Sequence, residues 1–389
     1  MIHVHQINLQ KAVGGGEVYT RRFTRALADA GARVTLYVDP ANPFWRGLES
    51  DRIRIVGANT ADQIRKQLPD RDALIVTQSR IPETLTELVL RKHVLTGFAH
   101  MPMLDRSAAE FTRYAAVFTV SEYCIGLLRQ AGIAQTYPMP LYGTGEIEPA
   151  SLVAKDAVIR ARSPYHWDKR KGRDRLLSLL EPLVRAFGSH AEFKKEPGLT
   201  LGIVSLISPI KQFPALFALL APQIARFPDV RLEIFGDGGY AQVRDMRRAL
   251  EPIAGRVRYW GYQKAVEAIY PRLDYLMTGL PEKEALGLNV LEAQALGTPV
   301  LAPRAPPFTE TVADGQSGFL YRDPREDAGR EFGELLATLV EGRARPDPRS
   351  AIEHLSKFSY HALVERTKRL LAYAELQFPQ IVQSGPVHE

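Results

Sequence analysis

Apolar and polar positions along the chain fall into two series of alternating strand-like and helix-like segments. Ile2 to Ile7 alternates apolar residues with His3, His5 and Gln6 and predicts a first strand. From Glu17 onward, Tyr19, Phe23, Ala26, Leu27 and Ala30 trace one helical face, which Gly31 ends. Strand-like runs follow at Val34 to Val38, Ile53 to Val56, Ala73 to Thr77, Val94 to Phe98 and Ala116 to Val120. A second series starts at Leu201, with strands expected at Leu201 to Ser205, Arg231 to Phe235, Val257 to Trp260, Tyr275 to Thr278, Val300 to Ala302 and Phe319 to Tyr321. Strands that alternate with helices specify parallel α/β sheets. Two such halves with a break near residues 143 to 200 predict two Rossmann-like α/β domains facing a central cleft.

A length of 389 residues agrees with two domains, and 45% hydrophobic with 24% charged residues is ordinary for a soluble globular chain. The single cysteine, Cys124, excludes an internal disulfide, fits a reducing cytoplasm and is expected in the core. MIHVHQINLQ lacks the charged start and long apolar run of a signal peptide, and Phe213 to Ala225 is too short to span a bilayer. The expectation is a cytoplasmic protein. The net charge of +6 is concentrated: residues 151 to 200 hold eleven Lys and Arg against six Asp and Glu. Within them, Ser163 to Arg175 joins Tyr165, His166 and Trp167 to a basic run. Leu176, Leu179, Leu180 and Leu183 then share a helical face up to Phe187. Residues 163–187 therefore carry the expectation of contact with an anionic membrane surface, at the inner face of the plasma membrane, set against a solvated insertion packed on one domain. Charge alone would also allow nucleic acid, but no RNA or DNA motif accompanies it.

The stretch Leu280 to Pro299 holds the densest candidate chemistry. A strand ending at Thr278 leads through a charged loop to Gly287 and then to a helical pattern (Leu288, Leu291, Ala295) that stops at Gly297. In an open parallel sheet, the crevice beyond such a strand is where ligands bind. The amides of Gly287 and Leu288 at the helix start suit an anion, while Glu284 and Glu292 suit sugar or ribose hydroxyls. Near the N-terminus, Gly14, Gly15 and Gly16 lie between the first strand and first helix and let a phosphate approach the backbone. A dinucleotide fingerprint would need glycine at Tyr19, while Asp39 stands where it would want a ribose acid, so a dehydrogenase stays open on this loop alone. No His, Cys or carboxylate cluster has metal-ligand spacing. No metal is expected.

E-A-L-G-L-N-V-L-E-A-Q-A-L-G-T-P-V, from Glu284 to Val300, resembles the E-x7-E segment of the retaining GT-B glycosyltransferases, in particular family 4, the glycosyl transferases group 1. Ala285 and Leu286 stand where that family has Gly and Phe. Gly14-Gly15-Gly16-Glu17 resembles its G-G-x-E loop, Gly97 to Met103 its H-x-P stretch through His100, and Val120-Ser121-Glu122 its V-S-E segment, a helix cap. Gly202 to Gln212 resembles V-G-R-L-x-x-x-K-G with Lys211 in register but Leu206 in place of the Arg, and Gly236-Asp-Gly-Gly239 resembles the G-D-G-P turn. Ala305 to Glu310 stands in place of a G-G-x-x-E loop without its glycines.

This resemblance covers nearly the whole chain. It implies a GT-B architecture with an acceptor domain at 1–150, a basic interdomain segment at 151–200, a nucleotide-sugar domain at 201–360, and a last helix, 361–389, crossing back to the first domain. It implies a retaining transfer of sugar from a UDP- or GDP-linked donor to a glycan or glycolipid acceptor in surface polysaccharide synthesis, with no cofactor. His100, Glu284 and Lys211 would be catalytic. Gly15, Gly16, Lys211, Gly236, Gly287, Leu288 and Glu292 would bind donor, with Glu284 on the sugar and Glu292 on the ribose. Two alternatives stay open: a sugar-nucleotide epimerase of similar fold, which would need no acceptor, and a GT-B scaffold that binds glycan or nucleotide without turnover, which the loss of the Arg at Leu206 makes plausible.

Overall fold

The computed structural model describes residues 2–382 apart from 12, 79–80, 104–106, 147–156, 168–171, 173–174, 177–178, 180–190 and 343–344. The chain forms two compact units, Met1–Thr144 with Ser356–Glu389, and Gly145–Leu355.

The first unit is built on strands β1 (His3–Asn8), β2 (Arg33–Val38), β3 (Ile53–Gly57), β4 (Leu74–Thr77), β5 (Val94–Ala99) and β6 (Ala116–Thr119). Helices α1 (Gly15–Asp29), α2 (Ala61–Arg65), α3 (Glu83–Leu90) and α4 (Glu122–Gln130) connect them. The second has β7 (Leu199–Val204), β8 (Val230–Phe235), β9 (Val257–Tyr259), β10 (Tyr275–Met277), β11 (Val300–Pro303) and β12 (Gly318–Tyr321). Its helices are α5 (Phe213–Ala225), α6 (Tyr240–Ala249), α7 (Leu288–Ala295), α8 (Phe308–Thr311), α9 (Pro324–Asp327), α10 (Arg330–Val340) and α11 (Ile352–Ser356), the last ending where the first unit resumes. A long helix, α12 (Tyr360–Gln377), returns to the first unit. It packs along α1, with Leu363, Leu370 and Ala374 buried and the Tyr360 hydroxyl donating to Asp29 (2.6 Å).

All twelve expected strands form, each within two residues of its expected ends, because strands buried on both faces are written as nearly continuous apolar runs. Every pairing between neighbouring strands is parallel, in the orders β3-β2-β1-β4-β5-β6 and β12-β11-β10-β7-β8-β9. Both sheets thus reverse direction beside their first strand, between β1 and β4 and between β7 and β10. At such switch points the loops part and leave a crevice at the carboxyl ends of the strands. Local signals set the helix starts around these crevices. The Glu17 carboxylate accepts from the Gly14 N–H (2.9 Å) to close α1, and the Ser121 hydroxyl accepts from the Cys124 N–H (3.2 Å) to cap α4.

The separate interdomain segment expected at 151–200 needs correction where it is described. Residues 157–167 and 191–198 are part of the second unit. Ile159 and Phe193 are buried in its core, and the Phe193 N–H donates to the Ile159 carbonyl (2.8 Å). Tyr165 stacks on Trp167 and on Tyr240, so this aromatic cluster is taken up by packing within the unit. Most of the basic run beyond Trp167, and the helix expected up to Phe187, lie outside the described residues. No helix among the described residues is long and apolar enough to cross a membrane.

Two histidines on β1 make the first unit sensitive to acid. The Tyr37 hydroxyl donates to the Gln67 carbonyl (3.0 Å), so it accepts from His5 Nδ1–H (3.1 Å), while His5 Nε2 is buried with no partner among the described residues. Burial, with the nearby His3, His93 and Arg71, pushes His5 down to about 3. The unfolded chain takes up this proton near 6.5 and the folded chain does not, so the stability present above pH 6.5 is lost as pH falls toward 3. His3, pushed down to about 4 by burial and the nearby Arg33, adds a loss over the same range. Urea unfolding at pH 5 against pH 7.5 should show about 2 kcal/mol from His5 in addition to the His3 share, and His5→Gln should remove only the His5 part. An equal loss in both proteins would assign the acid sensitivity elsewhere.

Candidate active site

In the second unit the structure brings Lys211, Glu284, Gly287 and Leu288 together at the switch point. Lys211 comes from the loop after β7 and Glu284 from the loop after β10, and their side chains form an ion pair, both largely buried (21% and 15% exposed). Backbone packing puts the lysine there. Gln212 adopts a left-handed conformation (φ 53°) before α5, and the Lys211 carbonyl accepts from the Leu280 N–H (3.2 Å). A β-carbon on Gly279 would lie 2.0 Å from that carbonyl oxygen, so only glycine lets the end of β10 pass so close.

Glu284 does more than pair with Lys211. Its Oε1 accepts from the Ala285 N–H (3.2 Å) and the Gly287 N–H (3.1 Å), and Gly287 (φ 80°) then turns the chain into α7. This corrects the expectation of a vacant amide at Gly287. A carboxylate already occupies it, because an anion at a helix start satisfies the unpaired donors. The lysine expected for a diphosphate and the carboxylate expected for a sugar therefore hold each other. Asn289 Nδ2 on the first turn of α7 donates to the Val204 carbonyl (3.2 Å) and fixes that helix to β7. One turn on, Glu292 is half-buried and accepts from the Tyr270 hydroxyl (3.3 Å).

Further residues that hold this loop carried no sequence signal. Arg325 donates to both oxygens of Glu282 (2.7 and 3.1 Å) and, through Nε, to Asp323 (2.9 Å). Burial works to raise the Glu282 carboxyl, but the Arg325 hydrogen bonds outweigh it and hold it below the usual range. Arg325 is thus paired with two carboxylates, and Leu206, where the resembled family segment has Arg, is 46% exposed. Gly236 has a packing reason: a β-carbon there would lie 1.8 Å from the Ser205 carbonyl oxygen. The turn it opens is gripped from both sides, Ile207 N–H donating to the Asp237 carbonyl (2.8 Å) and His166 N–H to the Gly238 carbonyl (2.8 Å). Burial pushes the Asp237 carboxyl up, with His166 opposing.

The first unit has its own constellation at the matching switch point. Gly15 and Gly16 form the first turn of α1, and a β-carbon on Gly16 would meet nothing within 4 Å, so that face is open. His100 follows the end of β5. Its ring stacks on Phe98 (5.1 Å, 12°), meets the edge of Tyr19 (5.2 Å), and places Nε2 2.8 Å from Gln78 Oε1. His100, Gly15 and Gly16 belong to this unit, and the other expected site residues to the second.

Residues 199–340 match the model for the family "Glycosyl transferases group 1". That match lies within the second unit. A D-inositol 3-phosphate glycosyltransferase of Segniliparus rotundus aligns with the chain over 386 residues at 25% identity, covering 90% of this chain and 83% of the relative. The enzyme of that name in Stackebrandtia nassauensis is 32% identical over 42% of this chain and 39% of its own length. A phosphatidyl-myo-inositol mannosyltransferase of Mycolicibacterium smegmatis is 32% identical over 35% of each chain. Against these last two the match spans well under half of the relative. Among solved structures, sucrose-phosphate synthase of Thermosynechococcus elongatus superposes over 97% of this chain and 100% of its own with a TM-score of 0.68 at 16% identity. HepE of Anabaena in complex with UDP covers 96% and 100% with a TM-score of 0.65 at 16% identity. The chain as a whole has the GT-B fold, two Rossmann-like domains.

Proposed function

We propose that the protein is a retaining glycosyltransferase that moves a sugar from a nucleoside diphosphate to a hydroxyl of a glycan or lipid-linked acceptor. The observation that carries this is the Lys211–Glu284 pair seated over the start of α7 at the switch point of a group 1 domain. A cation and a helix start within one crevice suit a diphosphate, and a carboxylate beside them suits sugar hydroxyls. Lys211 and the Leu288 amide stabilise the charge that builds on the leaving diphosphate, Glu284 holds the sugar, and Glu292 holds the ribose. On the first domain, His100 suits a hydrogen bond with a sugar hydroxyl, and the amides of Gly15 and Gly16 suit a phosphate. The bond from the sugar carbon to the diphosphate oxygen breaks, the bond to the acceptor oxygen forms on the same face, and the acceptor proton passes to the leaving diphosphate. Structural neighbours solved with UDP support a uridine donor. Relatives named for inositol phosphate and phosphatidylinositol support a polar, phosphate-bearing acceptor, as in cell-surface glycolipid or polysaccharide synthesis.

A thermal-shift series with UDP, GDP, ADP and NAD tests this. Ligand at about a hundred times its Kd adds about 2.7 kcal/mol to the folded state. UDP is expected to raise the melting temperature of the wild type and to do so far less for Lys211→Ala and Glu292→Ala. Stabilisation by NAD alone would overturn the reading. Stabilisation by UDP without transfer or hydrolysis of any UDP-sugar would favour a binding scaffold, in line with the exposed Leu206.

A further inference from the structure

We infer that Gly145 is a positioning residue that seats Glu292, an inference that rests on the proposal that Glu292 holds the donor ribose. Gly145 is buried and is the first residue of the second unit, where the chain enters it. Its backbone lies against α7 at Leu291. A β-carbon on Gly145 would stand 2.5 Å from the Leu291 carbonyl oxygen and 2.8 Å from the carbonyl carbon, and Glu292 is the next residue. Both atoms are helix backbone, so no change of rotamer makes room and one backbone has to move.

Both backbones are held. Before Gly145, within the first unit, the Tyr19 hydroxyl donates to the Leu141 carbonyl (2.8 Å) and Arg22 Nη1 to the Thr144 carbonyl (2.5 Å). Within the second unit α7 is fastened near both ends, by Asn289 to the Val204 carbonyl (3.2 Å) and by Gln294 to the Thr311 carbonyl (2.8 Å). Glu292 stands between these two fastenings, beside the chain that Gly145 lets pass. Gly145 is thus the stop on which the Leu291–Glu292 turn rests. A carboxylate holds a hydroxyl only within hydrogen-bond distance, so a small shift of this turn falls directly on the ribose. Lys211 comes from another loop and keeps its hold on the diphosphate.

Calorimetric titration with UDP and with 2′,3′-dideoxy-UDP reads the ribose contact by itself. Wild type is expected to prefer UDP about thirtyfold. Glu292→Ala should lose most of that preference, whereas Lys211→Ala should weaken both ligands and keep it. Gly145→Ala should cut the preference to about threefold, an effect that lost stability alone would not produce. Gly126→Ala on α4, whose β-carbon would meet nothing within 4 Å, should leave it unchanged. Arg22→Met adds no atom at residue 145 but frees the Thr144 carbonyl, and it should lower the preference in the same direction. It decides the matter if Gly145→Ala does not fold. Full preference in folded Gly145→Ala, or in Arg22→Met where that variant decides, would overturn the inference. A wild type without preference, or Glu292→Ala with all of it, would instead overturn the ribose role of Glu292, which keeps the two failures apart.

Discussion

Glu284→Gln should bind UDP about tenfold more tightly than the wild type while transferring sugar about a hundredfold more slowly. The opposite signs follow from the two jobs of one side chain. Glu284 neutralises Lys211 in the structure, and on the proposed function a diphosphate must take the lysine from it. Both partners are mostly out of solvent, so this competition is weakly screened. The carboxamide removes the competing charge but keeps an oxygen for the Ala285 and Gly287 amides, so the turn into α7 survives. Charged hydrogen bonds to sugar hydroxyls, worth about 1.5–3 kcal/mol, are lost, and with them the orientation of the reacting carbon. Lys211→Ala should weaken UDP and slow transfer together. Calorimetric titration with UDP and initial rates of transfer are the two measurements. Weaker UDP binding by Glu284→Gln would show that the pair is not a competitor, and unimpaired transfer would remove Glu284 from the sugar.

The largest stability effect is expected far from this pair, at Trp260→Phe. The Trp260 indole N–H donates to the Glu233 carboxylate (2.6 Å), and both side chains are buried, at 2% and 3% exposure. Burial pushes the Glu233 carboxyl up, and the indole hydrogen bond holds it down. Phenylalanine leaves the carboxylate without that donor and a gap beside Phe193 and Phe235, for a combined cost of about 3–4 kcal/mol. The sign with pH is fixed. A carboxyl raised by folding favours the folded state at low pH, and this contribution is lost as pH rises through its folded value. Removing the donor raises that value further, so the deficit should be larger at pH 8 than at pH 5 in urea unfolding. Glu233→Gln combined with Trp260→Phe should recover much of the loss at pH 8. A deficit independent of pH would mean the packing gap accounts for all of it.

Much of the site was legible because its chemistry lies in short strings. Glu284, Gly287, Leu288 and Glu292 stand on one loop and the helix it enters, and helical spacing keeps such residues together whatever the rest of the chain does. Lys211 was legible through the resemblance of Gly202 to Gln212 to a family segment. Their meeting was not, since 73 residues separate Lys211 from Glu284. The same holds for Gln78 with His100, 22 residues apart, and for Arg325 with Glu282, 43 apart. Gly236 and Gly279 could be read as turns, but the carbonyls they make room for belong to a neighbouring strand's loop.

The sequence by itself determined the strands, the helices and the two α/β series, because burying a parallel strand demands a run of apolar residues and a helix demands its own period. It also determined the loop chemistry, down to the helix starts at Gly14 and Ser121, since caps are settled by residues within one turn. Only the tertiary structure decided which loops meet. The order β12-β11-β10-β7-β8-β9 sets β7 beside β10, and so sets Lys211 against Glu284. It equally decided that residues 157–167 pack into the second unit, through Ile159 and the Gly238 turn. Pairing across a sheet depends on the free energy of burying every element at once, and no single segment carries that sum.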